Sequence, residues 1–264
     1  MDALPKQGLA VITGASSGIG AIYADRLAQR GLNLLLVARR EDRLRQIAGT
    51  LREKYGASVE VYKADLTDAQ ELAGLEARLQ GEQVAVLVNN AGVGGLGSSA
   101  GTTRDKMEEV LRLDVVALMR LSHVVLEGFR KRDVGVLVNI GSIMAMAPSP
   151  GGSVYSGCKA FVMNFTRSLQ LEYAKAGIRI QLLMPGPIRT EFFSSQGMSD
   201  SIFPDTAYLS AEQLVDAALA GLDANEEISV PAMNDPQIWK SLEAARTAFL
   251  SANMSGQVAP RYLP

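Results

Sequence analysis

Short, nearly continuous apolar runs recur along this chain, and a longer amphipathic stretch separates each run from the next. The runs cover residues 9–13, 33–37, 58–63, 84–88, 134–140, 178–184 and 228–230. They read as strands covered on both faces, because polar residues hardly interrupt them. The stretches at 19–30, 41–55, 68–79, 103–131, 154–176, 211–222 and 236–252 carry helical periodicity. Strands joined through helices run parallel, with right-handed crossovers. The spacing therefore predicts an α/β fold, a doubly wound parallel sheet of about seven strands with helices on both faces. Gly31, Gly56 and Gly177 each follow a helix closely, where a left-handed cap is expected. No linker or low-complexity segment interrupts the pattern, so one domain is expected over residues 1–264.

Composition narrows the chemistry. The 26 basic and 28 acidic residues leave a net charge of −2, which argues against nucleic-acid or anionic-membrane partners. One cysteine, Cys158, and one histidine, His123, exclude an intrachain disulfide and a thiol-rich zinc site. No metal is expected. The first apolar run, 9–12, is far shorter than a signal-peptide core. No run approaches a membrane span, so a cytoplasmic location is expected.

The first strand leads into Thr-Gly-Ala-Ser-Ser-Gly-Ile-Gly at residues 13–20 and then a helix. Glycines at a strand-to-helix turn permit close backbone approach, and the helix N-terminus attracts phosphate. Gly14, Ser16, Ser17, Gly18, Ile19 and Gly20 are therefore candidate cofactor contacts. An acidic residue after the second strand would suit a ribose hydroxyl. Arg39 and Arg40 stand there instead, and two guanidiniums suit a 2′-phosphate. That favours NADP(H) over NAD(H). The alternative is a solvated helix entry beside Glu41 and Asp42.

Tyr155 and Lys159 are four residues apart on a predicted helix and share one face. An ammonium beside a phenol favours the phenolate, lowering its pKa toward the working range. A tyrosine so tuned can exchange a proton with a carbonyl or hydroxyl. Ser142 lies thirteen residues upstream, just past the C-terminal end of the fifth strand, the edge where open α/β sheets bind ligands.

Together these residues resemble the short-chain dehydrogenase/reductase family. The likeness runs to about residue 230 on four motifs in order: residues 13–20; Asn89-Asn90-Ala91-Gly92; Ser142 with Tyr155 and Lys159; and Pro185-Gly186-Pro187-Ile188-Arg189-Thr190. The resemblance implies a Rossmann-type fold and hydride transfer with NAD(P). It implies Tyr155 as general acid/base. Lys159 would lower its pKa and hold the nicotinamide ribose, and Ser142 would bond the substrate oxygen. It also implies adenine contacts from Asp65 and Leu66, and cofactor-lining roles for Asn90 and Gly92. Ile188 and Thr190, after Pro185 and Gly186, would meet the carboxamide. The family usually places an Asn on the helix after Asn-Asn-Ala-Gly to hold a relay water. Asp114 stands there instead. It is expected to anchor that water or to pair with Lys159 directly, raising the lysine's pKa.

Three loops, 93–101, 143–153 and 189–208, would bound the substrate. Met144, Met146, Phe192 and Phe193, with Met198, Ile202, Phe203 and Tyr208, suggest an apolar or aromatic carbonyl substrate, or its alcohol, under a lid at 189–208. These side chains could equally pack on the protein body. His123 is expected on the far side of its helix from Asp114. Cys158 reads as a packing residue. The basic run 129–132 reads as a solvated helix end, or as a docking site for an acidic carrier. Family members commonly pair the helices at 103–131 and 154–176, so a homodimer or homotetramer is expected, with a tail at 253–264. The expected function is an NADP(H)-dependent carbonyl reductase or alcohol dehydrogenase. The alternatives are a 3-ketoacyl-thioester reductase and a non-catalytic NADP-binding sensor. A nucleotide-sugar epimerase would need a longer chain and a more polar lid.

Overall fold

The computed structural model describes residues 4–5, 7–98, 100–197, 199 and 202–263. Two compact units divide it, Met1–Pro231 and Ala232–Pro264, where the sequence pattern suggests one domain. In the first unit, seven parallel strands lie in the order β3-β2-β1-β4-β5-β6-β9. They are β1 (Leu9–Thr13), β2 (Asn33–Ala38), β3 (Val59–Lys63), β4 (Val84–Asn89), β5 (Gly135–Ile140), β6 (Ile178–Leu183) and β9 (Ile228–Ser229). This is the expected Rossmann-type doubly wound sheet. The strand order reverses at β1, between β2 and β4, which opens a crevice at the C-terminal edge.

Strand residues alternate between two apolar layers, which is why both faces must be covered. Ala10, Ile12, Leu34, Leu36, Val86 and Val88 face one core with Tyr23, Leu27, Leu44 and Leu214. Val11, Leu35, Val37 and Leu87 face the other with Leu75, Leu121 and Phe129. The first layer is covered by α1 (Gly18–Gln29), α2 (Glu41–Tyr55) and α7 (Ala211–Asp223). The second is covered by α3 (Ala69–Gln80), α5 (Leu118–Arg132) and the end of α6 (Ser153–Glu172).

Two local expectations need correction. Gly31 and Gly56 adopt left-handed φ values of 84° and 66°, but Gly177 does not. Gly177 is there for space, since a Cβ would stand 2.1 Å from the Asp133 carbonyl oxygen. The stretch 103–131 is not one regular helix. It is α4 (Arg104–Leu111), a π-helical segment Arg112–Ala117, and then α5.

Past β6 the chain forms β7 (Ile188–Arg189), which pairs in parallel with β8 (Leu209–Ser210). The expected lid is thus a loop tied at its base. Met198 and residues 200–201 of it lie outside the described residues.

The second unit is α8 (Gln237–Ala252) and a short 3-10 turn, Pro260–Tyr262. Ile238, Phe249, Leu250, Met254, Val258, Tyr262 and Leu263 are exposed on it. Among the described residues, no helix is long and apolar enough to cross a membrane.

Candidate active site

A cleft of about 830 Å³ opens at the crevice where the strand order reverses. Its floor is the turn after β1. Gly14 and Gly18 hold left-handed φ values of 66° and 53°. A Cβ on Gly14 would stand 2.7 Å from Asn90 Nδ2, so only glycine fits both conformation and space. Asn90 fixes this turn by donating to the carbonyls of Thr13 (2.9 Å) and Gly14 (3.3 Å). Thr13 Oγ1 accepts in return from the backbone N–H groups of Asn90 and Ala91, at 3.1 and 3.0 Å. Ser17 precedes α1 and makes no side-chain cap bond. Among the described residues, the first-turn N–H groups of α1 thus have no capping side chain, which is the arrangement that receives a phosphate.

Ser16, Ser17, Ile19, Arg39, Arg40, Asp65, Leu66, Asn90, Gly92, Pro185, Gly186, Ile188 and Thr190 all line the cleft. Gly20 does not. A Cβ there would lie 2.5 Å from both Asn90 Nδ2 and the Gly14 carbonyl, so its role is close packing beneath the turn. Arg39 is exposed and stands 3.8 Å from Asp65. Arg40 bonds Ser16 Oγ (3.1 Å), Ser17 Oγ (2.6 Å) and the Glu191 carboxylate (2.8 Å). The glycine turn, the unused helix N-terminus and the arginines together fit a phosphorylated dinucleotide.

At the far end, α6 sets Tyr155 and Lys159 one turn apart on its buried face. Lys159 Nζ lies 3.1 Å from Asp114 Oδ2 and donates to the Ile140 carbonyl at 3.2 Å. It stands 5.5 Å from the Tyr155 ring centre. Asp114 Oδ1 accepts from the Val93 backbone N–H at 2.8 Å. Asp114 is fully buried on the π-helical segment. A π turn inserts one extra residue per turn and re-aims side chains, and such turns recur at functional sites. Sequence periodicity carries no signal for it. Asp114 thus meets Lys159 directly, one of the two expected arrangements.

Burial pushes the Asp114 carboxyl above its usual range, although Lys159 and the Val93 N–H hold it back. Burial pulls the Lys159 ammonium down, but the charges of Asp114 and Tyr155 and the Asp114 contact together outweigh this, and its pKa is raised. Burial likewise raises the Tyr155 hydroxyl, with Lys159 and a hydrogen bond to Ser142 opposing and Asp114 adding. The lowered tyrosine expected from the four-residue spacing is therefore corrected: desolvation outweighs the lysine. Burial pushes the Cys158 thiol up to about 11, the opposite of an activated thiolate. Ser142 Oγ accepts from the Met144 N–H at 3.1 Å and opens into the same cleft.

The wall over this end is aromatic. The Phe192 ring lies 5.8 Å from that of Tyr155, and Phe193 follows at 5.4 Å from Phe192. Phe203 and Tyr208 pack on Phe193 at 6.1 and 6.4 Å. Met144, Phe192, Phe193, Ile202 and Phe203 line the cleft, whereas Met146 does not. His123 is exposed on α5. Arg132 of the basic run donates to the Val84 carbonyl at 2.6 Å, as a helix-end contact. Sequence reasoning missed three groups. Thr13 and the Val93 N–H act through the backbone turn. Glu191 meets Arg40 from 151 residues away in the chain, a pairing no local pattern announces.

Comparison with known proteins agrees with this arrangement. The family profile described as short chain dehydrogenase matches residues 8–200. A short-chain dehydrogenase from Sphingobium yanoikuyae, solved in complex with NADPH, superposes with a TM-score of 0.93 at 38% identity, covering 97% of this chain and 100% of that one. A bulky-bulky ketone specific alcohol dehydrogenase from Comamonas testosteroni gives 0.90 at 36% identity, covering 98% and 100%. A very-long-chain 3-oxoacyl-CoA reductase from Anas platyrhynchos is 35% identical over 206 residues, 75% of this chain and 65% of that relative's own length. With the matched family region, the sheet order and the cleft in agreement, the chain belongs to the short chain dehydrogenase family.

Proposed function

We propose that this chain is an NADP(H)-dependent carbonyl reductase or alcohol dehydrogenase acting on an apolar or aromatic ketone or aldehyde. The observation that carries the reading is the convergence of Ser142, Tyr155 and Lys159 in one cleft with the glycine turn and Arg39 and Arg40. When bound, NADP(H) would supply or accept the hydride. The first-turn N–H groups of α1 would hold its pyrophosphate, and Arg39 and Arg40 would take the 2′-phosphate. Ile188 and Thr190 would meet the carboxamide. Ser142 bonds the substrate oxygen, and Tyr155 delivers a proton to it in reduction or removes one in oxidation. Lys159 holds the nicotinamide ribose hydroxyls and counters the phenolate charge. Asp114 fixes that lysine.

Phe192, Phe193, Phe203 and Ile202 favour apolar flanks on both sides of the carbonyl, in keeping with the bulky ketones named for the Comamonas relative. The reductase named for the Anas relative supports a second reading, a 3-oxoacyl thioester substrate. We also propose self-association, since Leu111, Met119, Phe161 and Leu171 are exposed apolar residues on α4, the π segment's neighbour α5, and α6. The test is NADPH oxidation against a panel of aliphatic and aromatic ketones, aldehydes and one 3-oxoacyl thioester. Turnover best with a bulky aromatic ketone is expected. Turnover of the thioester alone would replace the first reading with the second.

A further inference from the structure

The charges at the cofactor end of the cleft are more than a phosphate trap requires. Arg40 spends its Nε and one terminal nitrogen on Ser16 and Ser17, at 3.1 and 2.6 Å. Its other terminal nitrogen meets a carboxylate, Glu191 Oε2, at 2.8 Å. Arg43 Nη1 meets the same carboxylate through both oxygens, at 2.7 and 2.9 Å. The two guanidiniums hold the Glu191 carboxyl below its usual range, so it is an anion at neutral pH. Glu191 lines the cleft together with Arg39, Arg40 and Ser16. A fixed anion thus already occupies one of the two arginines that follow β2.

We infer that Glu191 is a specificity-determining residue that competes with the cofactor's 2′-phosphate for Arg40. The inference rests on the NADP(H) reading of the cleft. A 2′-phosphate carries nearly two negative charges, and drawing it to Arg40 sets it against the Glu191 carboxylate. A 2′-hydroxyl meets no such repulsion and leaves the Arg40–Glu191–Arg43 cluster intact. Glu191 therefore narrows the gap between NADP(H) and NAD(H) that Arg39 and Arg40 would otherwise open. The side chains involved are about half exposed, so solvent screening keeps the effect modest.

The experiment is titration calorimetry of wild type and Glu191→Gln with two fragments, 2′,5′-ADP and 5′-AMP, which differ only in the 2′-phosphate. Glu191→Gln is expected to tighten 2′,5′-ADP about two- to fivefold, the worth of an exposed ion pair, and to leave 5′-AMP unchanged. Added salt is expected to shrink the gain. Glu191→Ala serves as a second variant, and thermal unfolding confirms that both fold. A wild type that prefers 2′,5′-ADP, with variants that shift neither fragment or shift both equally, overturns the role of Glu191 and leaves the NADP(H) reading standing. A wild type with no preference for 2′,5′-ADP overturns both.

Discussion

The bed of the cleft and the wall over it are built in different ways. In the bed, around the glycine turn and the Asp114–Lys159 pair, buried and half-buried polar groups are tied to backbone. Asn90, Thr13 and Val93 hold the turn and the carboxylate through bonds of 2.8 to 3.3 Å. The segment at 189–208 is held by rings in tilted and edge-to-face contact and by exposed ion pairs such as Arg189–Asp205 at 2.9 Å. The first construction tolerates little, because each buried polar group depends on its partner. The second can repack, because apolar burial is non-directional and surface pairs are weak. A dehydrogenase on this scaffold would therefore keep its chemistry constant in the bed and vary its substrate at the wall.

Substitutions separate bed and wall by size of effect. Tyr155→Phe keeps the ring and its contact with Phe192 but removes the proton donor. Under the proposed reading, kcat falls about 10²- to 10⁴-fold for every substrate, while NADPH binding, followed by fluorescence titration, is unchanged. Retained turnover would remove Tyr155 from the chemistry.

Lys159→Met comes next. It leaves Asp114 buried without its counter-charge, a loss of about 3–5 kcal/mol to be read from urea unfolding. The double variant with Asp114→Asn is expected to recover much of that stability. A lysine variant as stable as wild type would mean that the pair does not hold the bed together.

On the aromatic wall, Phe192→Ala removes a ring beside Tyr155 without opening the core. It is expected to change kcat/KM by about ten- to two-hundredfold, the roughly 1–3 kcal/mol a pocket contact is worth. The direction should differ between large and small ketones, and unfolding should stay near wild type. A uniform loss across the panel would show that Phe192 belongs with the rigid bed.

The subtlest effect is a displacement along pH. The Asp114 charge raises the Tyr155 pKa, so Asp114→Asn lowers it. Under the proposed reading alcohol oxidation needs the phenolate, so its rise with pH moves to lower pH. Ketone reduction needs the phenol, so its fall at high pH moves the same way. Superimposable pH–rate curves for wild type and variant would break the link between Asp114 and the proton-transfer group.

Much of this was legible in the chain itself. Runs of Val, Leu and Ile buried on both faces allow only a covered parallel sheet, and all seven expected strands are in place. Residues 13–20 announce the turn because glycine most readily accepts the left-handed φ values at Gly14 and Gly18. Ser142, Tyr155 and Lys159 were legible as a set because strand end and helix face fix where they point. Tertiary structure alone decided the rest. The π turn that carries Asp114 leaves no mark on a helical pattern. The direct Asp114–Lys159 pair and the raised Tyr155 depend on burial, which spacing does not report. Glu191 reaches Arg40 because the chain after β7 passes the start of α1, where Thr190 stands against Gly18. Local sequence sets backbone preference and the period of burial. Which charges meet, and how dry their meeting place is, depends on segments far apart in the chain.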